Sequence, residues 1–170
     1  DNGIEILPEG ILDMQDGTVT HNHSGTYGGG LYNRGGTAKI GGKAVIYNNH
    51  ADTAGDDIYS ETEPSVSLSQ VNNGWMLDDC KEKYQKEHPI VGWYHDGKEK
   101  RWKGDGEGDD YYADEYTVGK EAVSDALALK AAHGQLCSVT YEVTGDIPSD
   151  AGAVPAAAKV KKGGSYTVAP

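Results

Sequence analysis

Along the first third of the chain, apolar residues come in short alternating groups, never at the three-to-four spacing of a helix. Ile4-Glu5-Ile6, Thr18-Val19-Thr20, Ala38-Lys39-Ile40 and Ala44-Val45-Ile46-Tyr47 have the composition and period of half-buried strands. Gly-Gly, Asp-Gly, Asn-Asn and Arg-Gly-Gly stand between them and read as turns. After Pro64, Val66-Ser67-Leu68-Ser69-Gln70-Val71 alternates as one more strand. Good helix formers from Ser124 to Gly134, with a Ser to cap them and a Gly to end them, predict a short helix or an extended connector. Ser138 to Thr144 and Ser165 to Val168 predict two further strands, with a turn at Gly145-Asp146-Ile147-Pro148.

Laying residues 19 to 33 over residues 46 to 60, an offset of 27, matches Asn22 with Asn49, His23 with His50, Thr26 with Thr53, Gly28 with Gly55 and Tyr32 with Tyr59. Val19/Ile46 and Leu31/Ile58 keep their type, and Ile4 falls beneath Leu31 as the start of a weaker third copy. Periods of this size belong to stacked architectures. The absence of helical periodicity and of leucine-rich spacing leaves a parallel β-solenoid, in which each coil adds strands about 4.8 Å above the last. Open ends of such a stack are edges that need a cap or a further coil.

Asn22-His23-Ser24-Gly25-Thr26 followed by Gly28-Gly29-Gly30-Leu31-Tyr32-Asn33 resembles the coils of polymorphic-membrane-protein-like right-handed β-helix surface proteins of Gram-positive gut bacteria. The resemblance covers residues 1–60, and in the second copy Asp56-Asp57 replace the last two glycines, as suits a final coil against a cap. It implies an adhesin or stalk with no catalytic site in the coils. The stretch from about 135 to 170, with its Gly145-Asp146-Ile147-Pro148 turn and Lys162-Gly163-Gly164 approach, resembles the opening of the β-grasp-like Listeria-Bacteroides or internalin B-type repeat. The closing Gly-Trp segment of that repeat is missing here. The expected fold is therefore all-β: coils of a short right-handed parallel β-helix over 1–71, an aromatic and acidic cap and connector over 72–134, and a partial β-grasp-like module over 135–170.

Composition narrows the function. The 170 residues carry 15 basic and 27 acidic side chains, a net charge of −12, and the basic stretches 98–101 and 159–162 are too short for a nucleic-acid surface. No run approaches the ~20 apolar residues of a membrane-spanning helix. The chain has 24 Gly, 11 Tyr, 3 Trp and no Phe, so its core is thin and aromatic. Cys80 and Cys137 could form one disulfide or remain two thiols. The abrupt start at Asp1-Asn2-Gly3 reads as a piece excised from a longer protein, with upstream coils and downstream stalk repeats as its neighbours.

The tryptophans of the middle segment predict a cap whose indoles cover the last coil. Alternatively Trp93, Tyr94, Trp102, Tyr111 and Tyr112 present rings to a sugar or a protein partner. His23 and His50 should stack on adjacent coils and offer imidazoles to zinc, or serve as turn residues beside an Asn22–Asn49 ladder. Asp105, Glu107 and Asp109 alternate as calcium ligands would, but Asp110 and Tyr116 break the EF-hand pattern, and no other cofactor is expected. Asp56, Asp57 and Asp78 could supply acid and base to a polysaccharide lyase or hydrolase, although adjacent carboxylates point to opposite strand faces. No nucleophile elbow, phosphate loop or Cys/His motif occurs. The expected function is a non-enzymatic, extracellular, cell-wall-borne segment that binds a host protein or glycan; the alternative is a β-helix polysaccharide-active enzyme.

Overall fold

The computed structural model describes residues 2–62, 65–72, 74–78, 88–103, 113–120, 126–145 and 152–167. These residues are essentially all-β with parallel sheets, without an α-helix, and no sheet among them closes on itself. Four short strands make the first copy of the repeat: β1 (Ile4–Ile6), β2 (Ile11–Met14), β3 (Thr18–Val19) and β4 (His23–Ser24). The second copy holds β5 (Leu31–Asn33), β6 (Thr37–Ile40), β7 (Val45–Ile46) and β8 (His50–Ala51). A third begins with β9 (Ile58–Ser60) and β10 (Val66–Leu68).

Each strand pairs in parallel with its equivalent in the next copy, so the sequence offset is also the spatial register. Ile4 lies beside Leu31 and Leu31 beside Ile58; Val19 lies beside Ile46 and His23 beside His50. The β2–β6 pair runs one residue short, Ile11 to Thr37, and the β6–β10 pair one long, Ala38 to Val66. The turn after β1 has one residue more than the turn after β5, and the turn after β6 one more than the turn after β2, so the offset returns to 27 at β3–β7. Leu31, Ile46 and Ile58 are fully buried at the centre. Gly28 and Gly55 take the same left-handed corner, at φ 60 and 67, where a β-carbon is costly.

Beyond the repeat come β11 (Gly92–His95), β12 (Glu115–Tyr116), β13 (Leu127–Ala132), β14 (Leu136–Val139) and β15 (Ala158–Lys161). The largest sheet runs β1-β5-β9-β13-β11-β12: three parallel strands, then three antiparallel ones that cover the free edge of β9. The stretch expected to be a short helix or connector is thus the strand β13. All its residues are buried, and between two strands the backbone must donate and accept sideways, which overrides helix propensity. The carboxyl-terminal hairpin also differs from expectation. Its strands are 136–139 and 158–161, paired from Leu136–Lys161 to Val139–Ala158, and residues 140–144 and 165–167 lie outside any strand. Residues 142–145 are exposed, so their alternation has no face to bury. Lys161 ties the hairpin to Glu115 at 2.6 Å. The thiol of Cys137 is free and exposed; Cys80 lies outside the described residues.

Side chains meet other edges of the stack around β8. Asn22 donates Nδ2 to Asn49 Oδ1 at 2.9 Å, and Asn49 in turn donates Nδ2 to Asp57 Oδ1 at 3.0 Å. The other oxygen of Asp57 accepts the Ala131 backbone N–H of β13 at 2.8 Å. The two backbone groups of Ala51 that would face a further strand are taken by Asp56 Oδ1 and by the Arg101 guanidinium. Asp96 accepts from Asp56 N, Arg101 Nε and Trp102 N, and Lys130 sits 3.1 Å from Asp56. Trp75 stacks on Tyr47 at 5.0 Å and meets Trp93 edge-on at 6.2 Å.

The glycine-to-aspartate change between copies follows from this geometry. A β-carbon on Gly29 would stand 2.2 Å from the His50 carbonyl oxygen, and one on Gly30 2.5 Å from that of Asp57. The next copy leaves no room there. At Asp56 and Asp57 there is no next copy, and the two carboxylates occupy the space instead.

Two outcomes test this architecture. Leu31→Asp or Ile58→Asp buries an unpaired charge worth several kcal/mol and should abolish the thermal unfolding transition seen by circular dichroism. Ile11→Asp, at a position 82% exposed, should shift stability by no more than about 0.5 kcal/mol. Burial, offset by Lys130 and by bonds from Asn49 and Ala131, raises the Asp57 carboxyl from 3.8 to about 6. The folded state therefore holds this proton more tightly than the unfolded chain. The resulting stabilisation is complete below pH 3.8 and is lost as pH rises through about 6, a change of ~3 kcal/mol at about 1.4 per unit. Asp57→Asn removes this titration, so its stability relative to the parent should rise by that amount from about pH 4 to about pH 7, read from urea midpoints and slopes.

Candidate functional site

The stacking that aligns the copies also aligns their tyrosines. Tyr32 and Tyr59 are register neighbours on β5 and β9, and Tyr27 pairs in parallel with Ala54. Where the first copy has a phenol ring the second has only a methyl group. The ring of Tyr59 folds against Tyr27, stacked at 4.4 Å, and Tyr32 meets Tyr59 edge-on at 5.7 Å. Over Ala54 this leaves a cavity of about 610 Å³ whose walls include Tyr27, Tyr59, Ala128, Lys98, Glu99 and Lys100. That volume lies within the ~300–1,000 Å³ usual for small-molecule sites.

The cavity combines an apolar floor with mixed charge at its rim. Tyr27 and Tyr59 are half-buried, whereas Lys98, Glu99 and Lys100 are exposed. Lys100 pairs with Asp114 at 3.1 Å. Beside the cavity, Tyr32 donates its hydroxyl to Glu61 at 2.9 Å, and the Arg34 guanidinium lies 5.7 Å above the Tyr32 ring. Burial first, and then the Glu61 carboxylate, push the Tyr32 hydroxyl up to about 12. Burial and the neighbouring Tyr27 raise Tyr59 as well. Both phenols stay protonated and able to donate through the physiological range.

A second cluster lies on the β4–β8 pair. The rings of His23 and His50 stack at 5.3 Å with an interplanar angle of 20°. Asp52 Oδ1 stands 2.7 Å from His23 Nε2 and 3.5 Å from His50 Nε2. The hydrogen bond from His23 holds the Asp52 carboxyl below its usual range. His50 Nδ1 faces Asp56 Oδ1 at 3.3 Å. The expected Asn22–Asn49 ladder is present as well, so ladder and imidazole pair occur together and not as alternatives.

The other candidates from the sequence are dispersed. Trp93, Tyr94 and Trp102 are 2%, 3% and 6% exposed, and this burial corrects their reading as ring surfaces for a ligand. Trp93 donates its indole N–H to the Ser69 carbonyl at 3.1 Å, and Lys130 lies 5.3 Å over the Trp102 ring. They are interior groups of the segment that covers the last copy. Tyr111, Tyr112, Asp105, Glu107 and Asp109 lie outside the described residues. Asp56 and Asp57 are buried and bonded to backbone N–H groups, and Asp78 pairs with His21, so these three do not converge on one substrate position.

Sequence reading missed the groove tyrosines and Asp52. The signal for the first was the Tyr27/Ala54 mismatch between the copies, which opens a hole beside the repeated Tyr32/Tyr59 ring position. For the second it was strand alternation: Asp52 follows His50 by two positions and so returns to the same face. Comparison of the chain with protein-family models, with curated proteins and with solved structures returns no match.

Proposed function

We propose that this chain is a non-enzymatic segment of a bacterial cell-surface protein, an adhesin or stalk piece, that binds a glycan in the groove over Ala54. The parallel copies are read as the last coils of a right-handed β-helix, and β11–β13 with the buried tryptophans as its cap. The observation that carries the binding role is the stacked, half-buried Tyr27–Tyr59 pair beside a 610 Å³ cavity with lysines at its rim. A phenol face suits the C–H face of a sugar ring, while phenol hydroxyls and lysine ammonium groups suit its hydroxyls and acidic substituents. Among the described residues, Glu99 is the one carboxylate in the cavity walls, which favours holding a saccharide over hydrolysing it, since acid-base cleavage uses a pair.

The first copy supports a place within a longer stack. β1 and β2 are edge strands of their sheets, and beside them Leu7 and Ile11 are 57% and 82% exposed. Unpaired parallel edges with apolar flanks suit another coil of the same kind. No described helix is long and apolar enough to cross a membrane, and attachment to the cell wall is assigned to neighbouring parts of the parent chain.

A glycan array with the immobilised chain, followed by calorimetry on the hits, tests the binding role. Tyr27→Ala with Tyr59→Ala should keep the fold by circular dichroism and weaken a glycan hit at least about tenfold, or about 1.4 kcal/mol. A hit that survives the double variant places the site elsewhere. An array without hits, alongside capture of a host protein that the same variant abolishes, reassigns the groove to protein recognition.

A further inference from the structure

His23 and His50 come from different copies of the repeat, yet parallel register sets them directly opposite each other, one strand spacing apart. Asp52 continues the same ladder, its N–H donated to the Ser24 carbonyl at 2.9 Å. The Nε2 atoms of both imidazoles address one oxygen, Oδ1 of Asp52, at 2.7 and 3.5 Å. All three potential ligand atoms lie within 4.8 Å of one another. A tetrahedral ion with bonds of about 2.0–2.2 Å spaces its ligand atoms roughly 3.4 Å apart, inside the range seen here.

The surroundings favour coordination over a simple ion pair. Asp56 Oδ1, facing His50 Nδ1 at 3.3 Å, belongs to the buried network and is fixed by Ala51 N. A carboxylate beside Nδ1, with Nε2 turned to the other ligands, is the arrangement of a carboxylate–histidine–zinc triad. The three side chains are 61%, 62% and 52% exposed, so an ion can enter and the rings can adjust by tenths of an ångström. Two imidazoles and one carboxylate form a donor set for borderline transition ions, not for calcium or magnesium.

We infer that His23, His50 and Asp52 form a divalent transition-metal site, with zinc as its ion and water in the fourth position. The ion bridges two copies of the repeat, so it binds the folded stack and not the unfolded chain, and raises stability by mass action. The site is independent of the glycan-binding reading.

Titration of the whole chain with zinc, by calorimetry and by thermal unfolding, tests this. The parent should bind one ion and unfold at a higher temperature with zinc present. His23→Ala and His50→Ala, both at exposed positions, should keep the fold, bind at least tenfold more weakly and lose the thermal shift. His95→Ala, an exposed histidine on β11, should bind as the parent does. In the parent, nitrogen chemical shifts of the imidazoles should move at Nε2 of His23 and His50 on adding zinc. Absence of binding at 1 mM zinc, affinity unchanged in the His23 and His50 variants, or an equal loss in His95→Ala would overturn the assignment.

Discussion

The Asp57 carboxylate, sealed from water, joins the last copy of the repeat to the strand that closes it. One of its oxygens ends the asparagine ladder that runs from Asn22 through Asn49, and the other receives a backbone N–H of β13. A parallel stack cannot stop without leaving a row of unsatisfied donors and acceptors. Here the row is met by a strand on β9, by the side chains of Asp56 and Arg101 on β8, and by Asn48, which bonds to Met76 and Asp78, below β7. Burying three carboxylates for this purpose is costly, and Arg101 and Lys130 offset it within the same network. Removing one partner would strand the remaining charges, which is why such networks resist piecemeal change.

That requirement also determines where surface chemistry can reside. Among the described residues, the tryptophans and the Asp56–Asp57 pair, which most invite a functional reading, are used inside, and the repeat presents a tyrosine column on one ladder and an imidazole pair on another. In each case the useful feature is a departure from perfect repetition. Ala54 in place of a ring opens the groove, and Asp52, opposite Gly25 in the preceding copy, supplies the carboxylate that both imidazoles address.

The repeat was legible because stacking turns a sequence offset into a hydrogen-bond register. Leu31, Ile58, Asn22, Asn49, His23 and His50 all stand where the offset puts them, and β10 appears where alternation placed it. β13 was not legible, because Leu127 to Ala132 has no period-two pattern. Both of its faces are covered, and a strand buried on both sides reads like any apolar run. The carboxyl-terminal hairpin failed for the opposite reason. Alternation at 138–144 is genuine but solvent-facing, and the pairing is set instead by Leu136, half-buried, and by Lys161 reaching Glu115. Exposed and buried tryptophans read alike in a sequence, so Trp93 and Trp102 had to be located in space.

The same logic bears on how such a stack diversifies. Interior positions such as Gly29 and Gly30 are closed to change, because the neighbouring copy's carbonyl oxygens stand within 2.5 Å of any added carbon. Outward positions such as 23, 27, 50 and 52 meet no such limit, yet remain held to a fixed spacing by the strands beneath them. A rigid ladder with free outer rungs gives each substitution a defined neighbour one strand away. Two unremarkable residues, each common on a surface, thereby acquire a geometry that a flexible loop would have to lose entropy to reach.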